Sequence, residues 1–327
     1  MAKNTKRCLV IQPLPGIGDA LWHLRAFKAL ARQSPTGKIT LLAKPQSQVD
    51  KLLSHEPWIE EILWLDSKKH YGSMGGIMLG HFLRKKNFGE VWILHHSPRY
   101  YIAASFAGIR KRYGYGFGWL KGMLTSSNTL DKKYRFLHPI ARFETFFKKC
   151  RLPLKDEDRF LTPRVEALKK IRELLHKMPH PWTVFGFGAT NPQRIWSAER
   201  FADLAVALQR KKPQTIFLCG AKSEEQKGKE ILALIQEKGG TAELATDYDL
   251  GLTCAFLSEA DYFIGNDSGL LNLAGALGKK AIGLFGNLGV LEYNQNVFGK
   301  VLEKERDRKT GGMNSINVKD VIDALKA

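Results

Sequence analysis

The sequence predicts an α/β chain built as two similar halves, each a parallel sheet with crossover helices. Three observations carry that prediction. Short apolar runs of strand length alternate with longer amphipathic runs in both halves. Each half holds a strand that runs straight into a glycine-marked turn and a helix, at 8–21 and at 262–277. A charged, proline-bearing stretch at 152–159 lies between the halves, giving domains at 1–160 and 161–327.

In the first half, apolar runs predict strands at 8–11, 38–43, 61–65 and 91–94. Helices are predicted at 20–32, 47–53, 77–86 and 100–107; the first carries the stripe Leu21, Leu24, Phe27, Leu30. Gly72, Gly75 and Gly76 mark a mobile loop at 72–76, and a second glycine-aromatic loop follows at 114–119. The second half opens with a helix at 165–178. Its strands are predicted at 182–186, 215–219, 262–265 and 281–285, with helices at 198–209, 223–237, 252–258, from Asp267 onward, and at 318–326.

Length and composition bound the function. At 327 residues the chain is long enough for two separate cores. Its four cysteines stand far apart without a C-x-x-C pair, which suggests reduced thiols in a cytoplasm and no zinc or disulfide framework. The N-terminus is basic (Lys3, Lys6, Arg7), but the apolar run after it is too short for a signal peptide, and no run approaches a membrane span. The formal charge is +19, from 51 Lys and Arg against 32 Asp and Glu, and it is uneven. Between 67 and 129 the only acidic residue is Glu90, among Lys68, Lys69, Arg84, Lys85, Lys86, Arg99, Arg110, Lys111, Arg112 and Lys121; Lys132, Lys133 and Arg135 follow. Such a face suits an anionic partner: a phosphorylated glycolipid, an anionic bilayer or a nucleic acid. No nucleic-acid motif accompanies the charge.

Two segments carry the chemistry. At 262–274 an apolar strand runs into Asp267, Ser268 and Gly269 and then a leucine-rich helix containing Asn272. Asp and Ser are helix-capping types, and the free N–H groups of such a helix start attract an anion such as a diphosphate. A cap without a ligand is the plainer reading. At 8–21 the strand runs through Pro13, Pro15, Gly16 and Gly18 to Asp19, a carboxylate at the sheet edge where α/β folds bind ligands, able to serve as base or cap. Gly16-Ile17-Gly18 is neither a dinucleotide fingerprint nor a phosphate-binding P-loop.

Together these segments resemble glycosyltransferase family 9, the ADP-heptose:lipopolysaccharide heptosyltransferases. The resemblance rests on Gly18-Asp19-Ala20-Leu21 and on Asp267-Ser268-Gly269-Leu270-Leu271-Asn272-Leu273-Ala274. Between them, Gly188-Ala189-Thr190, Arg194 to Phe201, Cys219 to Glu225 and Lys280 to Gly286 are similar in the same order. It implies a GT-B fold, two Rossmann-like domains facing across a cleft, and an inverting, metal-independent transferase. Asp19 would then be the general base. Arg194 and the helix start at 267–269 would stabilise the departing diphosphate, with Thr190 on phosphate, Glu224 on the ribose and Asn272 at the donor. Gly18 and the Arg110, Lys111, Arg112 triplet would face the acceptor, and an aromatic of 114–119 either packs on the acceptor sugar or within its own loop. Asp156-Glu157-Asp158 and Asp247-Tyr248-Asp249 fit an Asp-x-Asp metal signature but lie in polar stretches, which reads as surface turns. No cofactor is implied beyond the nucleotide-sugar donor, which the resemblance makes ADP-linked. The partners implied are an anionic glycolipid or saccharide acceptor and the anionic inner-membrane surface, met from the cytoplasm, with no nucleic acid expected. The chain departs from the family's usual pattern in having Arg194 for Lys, Asn272 for His, and no proline after His23. The alternatives are a nucleotide-sugar epimerase or hydrolase on the same fold, and a basic nucleic-acid-binding α/β protein.

Overall fold

The computed structural model describes residues 7–286 and 312–326; Lys3 and Lys6 lie outside them. The chain separates into two compact units, Met1–Arg159 and Phe160–Ala327.

Unit 1 runs β1 (Cys8–Ile11), α1 (Ile17–Trp22), α2 (Leu24–Gln33), β2 (Ile39–Ala43), α3 (Val49–Leu53), β3 (Ile59–Trp64), α4 (Gly72–Lys86), β4 (Glu90–Ile93), α5 (Pro98–Phe106), β5 (Lys111–Gly114) and α6 (Pro139–Lys149). Unit 2 runs α7 (Val165–Leu175), β6 (Trp182–Gly186), α8 (Ala198–Lys211), β7 (Thr215–Cys219), α9 (Glu225–Glu237), β8 (Glu243–Ala245), α10 (Leu250–Glu259), β9 (Tyr262–Asn266), α11 (Gly269–Ala276), β10 (Lys280–Leu284) and α12 (Val318–Lys326).

Both sheets have five parallel strands in one topology. The order is β3-β2-β1-β4-β5 in unit 1 and β10-β9-β6-β7-β8 in unit 2, so each unit's first strand sits at the centre. These are two Rossmann-like domains, the pair that makes a GT-B fold. β1, β2 and β6 are buried at every position, as parallel strands covered on both faces require. In unit 1 the core joins Leu9, Ile11, Leu42 and Ile93 to Leu79, Leu83 and Tyr101. In unit 2 it joins Phe185, Leu218, Ile264 and Leu284 to Trp196 and Phe201. The strand order reverses direction beside β1 in unit 1 and beside β6 in unit 2, so the loops after β1, β4, β6 and β9 line the switch points where such sheets bind ligands.

The structure corrects the sequence reading in four places. The helix predicted at 20–32 is two helices meeting at His23, whose backbone (φ −94°, ψ 4°) leaves the helical region. Residues 72–76 are not a loop but the first turn of α4; Gly76 and Gly80 there let α4 lie against α5, where a Cβ at Gly76 would stand 3.0 Å from the Arg99 carbonyl oxygen. β5 and β8 add edge strands that no apolar run announces, since Lys111, Arg112 and Glu243 occupy them. α6 was also missed, although Ile140, Phe143, Phe146 and Phe147 give it a helical apolar face behind Pro139 at its first position. Among the described residues, no helix is long and apolar enough to cross a membrane.

Candidate functional site

In unit 1, β1 ends in Ile11 and the chain turns through Gln12 to Gly16 before α1 begins. Asp19 is the third residue of α1, and its Oδ2 accepts the Gly16 N–H at 2.8 Å, closing the first helical turn. Gly18 is buried beside it. The Asp19 carbonyl is held separately: His23 Nδ1 lies 2.6 Å away and donates to it, and Gln12 Nε2 approaches at 3.4 Å. His23 is fully buried, against Phe27 and Phe143. Burial pushes its pKa down to about 4, so it is a neutral donor. The break at His23 therefore has a use: the ring that ends α1 holds the backbone that carries Asp19.

Burial also moves Asp19 itself. Desolvation raises its carboxyl above the ordinary aspartate value, opposed by the Gly16 N–H and by the charge of Lys44. Lys44 follows β2 at the same sheet edge and lines a pocket of about 310 Å³ with Pro15, His70, Tyr71, Arg99 and Tyr100. Arg99 lies over the rings of Tyr71 and Tyr100 (5.6 and 5.0 Å) and donates to the His70 carbonyl at 3.2 Å. Its Nε is buried without a hydrogen-bond partner among the described residues. His95, just past β4, has its pKa pushed down to about 3 by burial and then by His96, Arg99, Arg142 and Lys44. At His95 the causes after burial are all nearby cationic groups and His96, so these charges add to the effect of desolvation, and a bound anion would offset them.

The Arg110, Lys111, Arg112 triplet is not part of this arrangement. It lies at the start of β5, where Lys111 pairs with Glu90 at the start of β4, while Asp19 follows the far end of the neighbouring β1. Arg112 is committed to the carbonyls of Met123 and Ile109, both at 2.7 Å. In the loop at 114–119, Tyr115 and Phe117 are buried and Trp119 is exposed.

In unit 2 the corresponding edge is formed by the loop after β6 and the start of α11. Asn266, the last residue of β9, is completely buried and bridges the two: its Nδ2 donates to the Phe187 carbonyl at 2.7 Å and its Oδ1 accepts the Trp196 N–H at 3.0 Å. The bridged loop carries Arg194, whose guanidinium pairs with Asp267 Oδ2 at 2.9 Å. Desolvation raises the Asp267 carboxyl, and Arg194 opposes that rise. Asp267 thus holds Arg194 instead of facing a phosphate. Two groups beside this pair remain unused: Arg194 Nε and Ser268 Oγ are buried without hydrogen-bond partners among the described residues. Ser268 stands at the N-cap of α11, and Gly269 opens that helix. A niche of about 70 Å³ adjoins them, lined by Asn191, Gln193, Arg194, Asp267 and Phe285.

The other expected donor residues are placed as follows. Thr190 is exposed on the loop before Arg194. Glu224 Oε2 accepts the Ala221 N–H at 2.8 Å, and its carboxylate presses on Gly188 closely enough that a Cβ there would collide with it. Asn272 turns its amide back onto the Ser268 carbonyl at 2.9 Å, so this group ties the first turn of α11. The Asp-x-Asp carboxylates are engaged structurally. Asp156 pairs with Arg25 and Arg159, Asp158 with Arg32, and Asp247 with Lys222, while Asp249 caps α10 through the Leu252 N–H at 2.8 Å.

Sequence reasoning missed Gln12, Lys44 and Asn266, and it saw Arg99 only as one cation of the basic stretch at 67–129. Lys44 had a usable signal, a lone cation immediately past an apolar strand. The bridging role of Asn266 depends on contacts some 70 residues away in the chain, which no local pattern encodes.

Residues 78–295 match the family described as Glycosyltransferase family 9 (heptosyltransferase). The chain is 26% identical to lipopolysaccharide heptosyltransferase 2 of Salmonella typhimurium over 292 residues, 86% of this chain and 82% of that one. Among solved structures it resembles a family 9 glycosyl transferase from Veillonella parvula (TM-score 0.79, 20% identity, 100% of this chain and 97% of that one). It also resembles the E. coli ADP-heptose LPS heptosyltransferase II (TM-score 0.75, 22% identity, 98% and 97%).

Proposed function

Because the chain belongs to glycosyltransferase family 9, the heptosyltransferases, and is a glycosyltransferase, we propose that it transfers heptose from ADP-heptose, with inversion, onto a lipopolysaccharide-core-like or similar saccharide acceptor. The observation that carries this reading is the placement of Asp19: a desolvated carboxylate fixed at a sheet switch point, beside a cationic, aromatic-walled pocket. The name of the Salmonella relative supports the choice of sugar and acceptor.

In this reading the acceptor lies in unit 1. Lys44 and Arg99 hold its anionic group, and Asp19 takes the proton from the attacking hydroxyl. The raised carboxyl makes Asp19 a stronger base than an exposed aspartate. As the acceptor oxygen bonds to the anomeric carbon, the bond from that carbon to the diphosphate breaks on the opposite face. Negative charge then grows on the diphosphate. Arg194, the Ser268 hydroxyl and the free N–H groups at the start of α11 supply donors for it in unit 2. These donors make a metal unnecessary, and turnover should persist in excess EDTA. Restoration of EDTA-abolished activity by Mg²⁺ or Mn²⁺ would show instead that a cation carries the diphosphate charge. In this reading the reaction takes place at the cytoplasmic side of an inner membrane.

The test is mass spectrometry of products from ADP-, GDP- and UDP-sugars incubated with a delipidated core saccharide. The expected product is the acceptor enlarged by one heptose, from the ADP donor only. Hydrolysed or epimerised donor with unmodified acceptor would overturn the transferase reading.

A further inference from the structure

Residues 115–136 are anchored at two roots and bare at two tips. At the roots, Tyr115, Phe117, Leu120 and Leu130 are buried, the Leu130 N–H donates to the Tyr115 carbonyl at 2.8 Å, and the Gly116 N–H donates to Tyr101 Oη at 3.2 Å. From these neighbouring roots two short helical turns emerge, Gly118–Met123 and Lys132–Phe136. They carry two of the most exposed large apolar side chains described, Trp119 at 65% and Phe136 at 89%. Around the two rings stand Lys121, Lys132, Lys133 and Arg135, all exposed. The only acid from 118 to 136 is Asp131, already paired with Lys149 at 3.4 Å. The segment follows the C-terminal end of β5, the same edge of the sheet that carries Asp19. It ends at His138, whose ring meets Trp22 on α1 at 4.6 Å.

A ring exposed to this degree stands out of the surface as a wedge and does not floor a groove. Aromatic wedges ringed by cations suit the boundary between lipid headgroups and acyl chains, where the ring is half desolvated and the cations meet phosphates. We infer that the tips at 118–123 and 132–136 form the surface by which unit 1 docks on an anionic lipid bilayer, with Trp119 and Phe136 entering the headgroup layer. The docking itself stands on these contacts. Its purpose, bringing Asp19 to a lipid-borne acceptor, rests on the transferase reading. Arg110 and Lys111 lie at the start of β5, and the neighbouring Arg112 donates from Nε to the carbonyl of Met123, at the end of the first tip, at 2.7 Å.

The full chain should co-sediment with vesicles of equal parts phosphatidylglycerol and phosphatidylcholine, and far less with phosphatidylcholine alone. The Lys121→Gln, Lys132→Gln, Lys133→Gln triple variant should weaken that binding by about a hundredfold, since each near-surface cation contributes about fivefold. The loss should shrink as salt rises. Trp119→Ala with Phe136→Ala should weaken binding about tenfold, and the vesicle-induced blue shift in tryptophan emission should disappear in Trp119→Phe. Turnover of a delipidated acceptor should be unchanged in the triple and aromatic variants, which controls for folding. Equal binding to both vesicle types, parental binding by the triple and aromatic variants, or capture of a protein by this face without vesicle binding would overturn the docking surface. If the parent fails to turn over the soluble acceptor but the vesicle results hold, the transferase reading fails and the docking surface stands.

Discussion

The two units share one strand order yet present opposite chemistry at the same sheet edge. In unit 1 the edge is desolvated around a single carboxylate: Asp19 is raised by burial, His23 and His95 are held neutral, and Lys44 and Arg99 leave the pocket positive. In unit 2 the edge is an arginine already paired with a carboxylate, next to a helix start with unused donors. In the proposed reading, one topology thus supplies a base in one copy and an anion grip in the other. The strand order decides where a ligand can lie. The residues immediately past β1, β2, β6 and β9 decide what is done with it.

The largest effect should come from removing the proposed base. Asp19→Asn keeps the Gly16 contact but not the basicity, and turnover should fall by roughly 10²–10⁴. The folded-state pKa of Asp19 lies above its unfolded value, so its ionised form opposes folding at neutral pH. The Asn variant should therefore melt no lower than the parent. A nearly normal rate would reduce Asp19 to the residue that closes the α1 turn.

Removing Arg194 should act next. Arg194→Ala should cost about 2–4 kcal/mol of transition-state stabilisation, seen in kcat/KM. The same variant removes the partner that holds the Asp267 carboxyl down, so Asp267 should take up a proton more readily. An unchanged kcat/KM would take the phosphate role away from the loop after β6.

The third contrast is in acid stability. His23 titrates at about 4 in the folded chain against 6.5 for the free side chain, so the unfolded chain binds its proton first. Its contribution is present above 6.5 and is lost as pH falls from 6.5 toward 4, about 3 kcal/mol in all. His95, at about 3, adds to the loss in the same direction. The histidines of unit 2, His176 and His180, are exposed. Hydrogen exchange at falling pH should therefore show unit 1 opening before unit 2, and His23→Asn should flatten the pH dependence. Equal loss of protection in both units would break the contrast.

Much of this was legible in the sequence because the informative segments are local. A buried strand, a glycine turn and a helix start can be read at 8–21 and 262–274 without knowing the fold, and these segments hold Asp19 and Ser268. The positively charged segment was legible as charge but not as place. Arg110, Lys111 and Arg112 look like one patch in the sequence, yet β5 carries them at the far edge from Asp19 and Arg112 braces its own loop. Polar edge strands hide in the same way, because β5 and β8 pair on one side only and need little apolar sequence. Asp267 was legible as a helix-start acid, but its partner Arg194 lies on another loop, so its role as a brace emerged only with the fold.

The most direct test of the division between the units is calorimetric titration of ADP into the parent, Asp19→Asn and Arg194→Ala proteins. Asp19→Asn should bind ADP as the parent does, although it turns over slowly, and Arg194→Ala should bind it at least tenfold more weakly, as the loss of a charge-assisted contact implies. If ADP affinity falls in Asp19→Asn and is unchanged in Arg194→Ala, the base and the anion grip have been assigned to the wrong units.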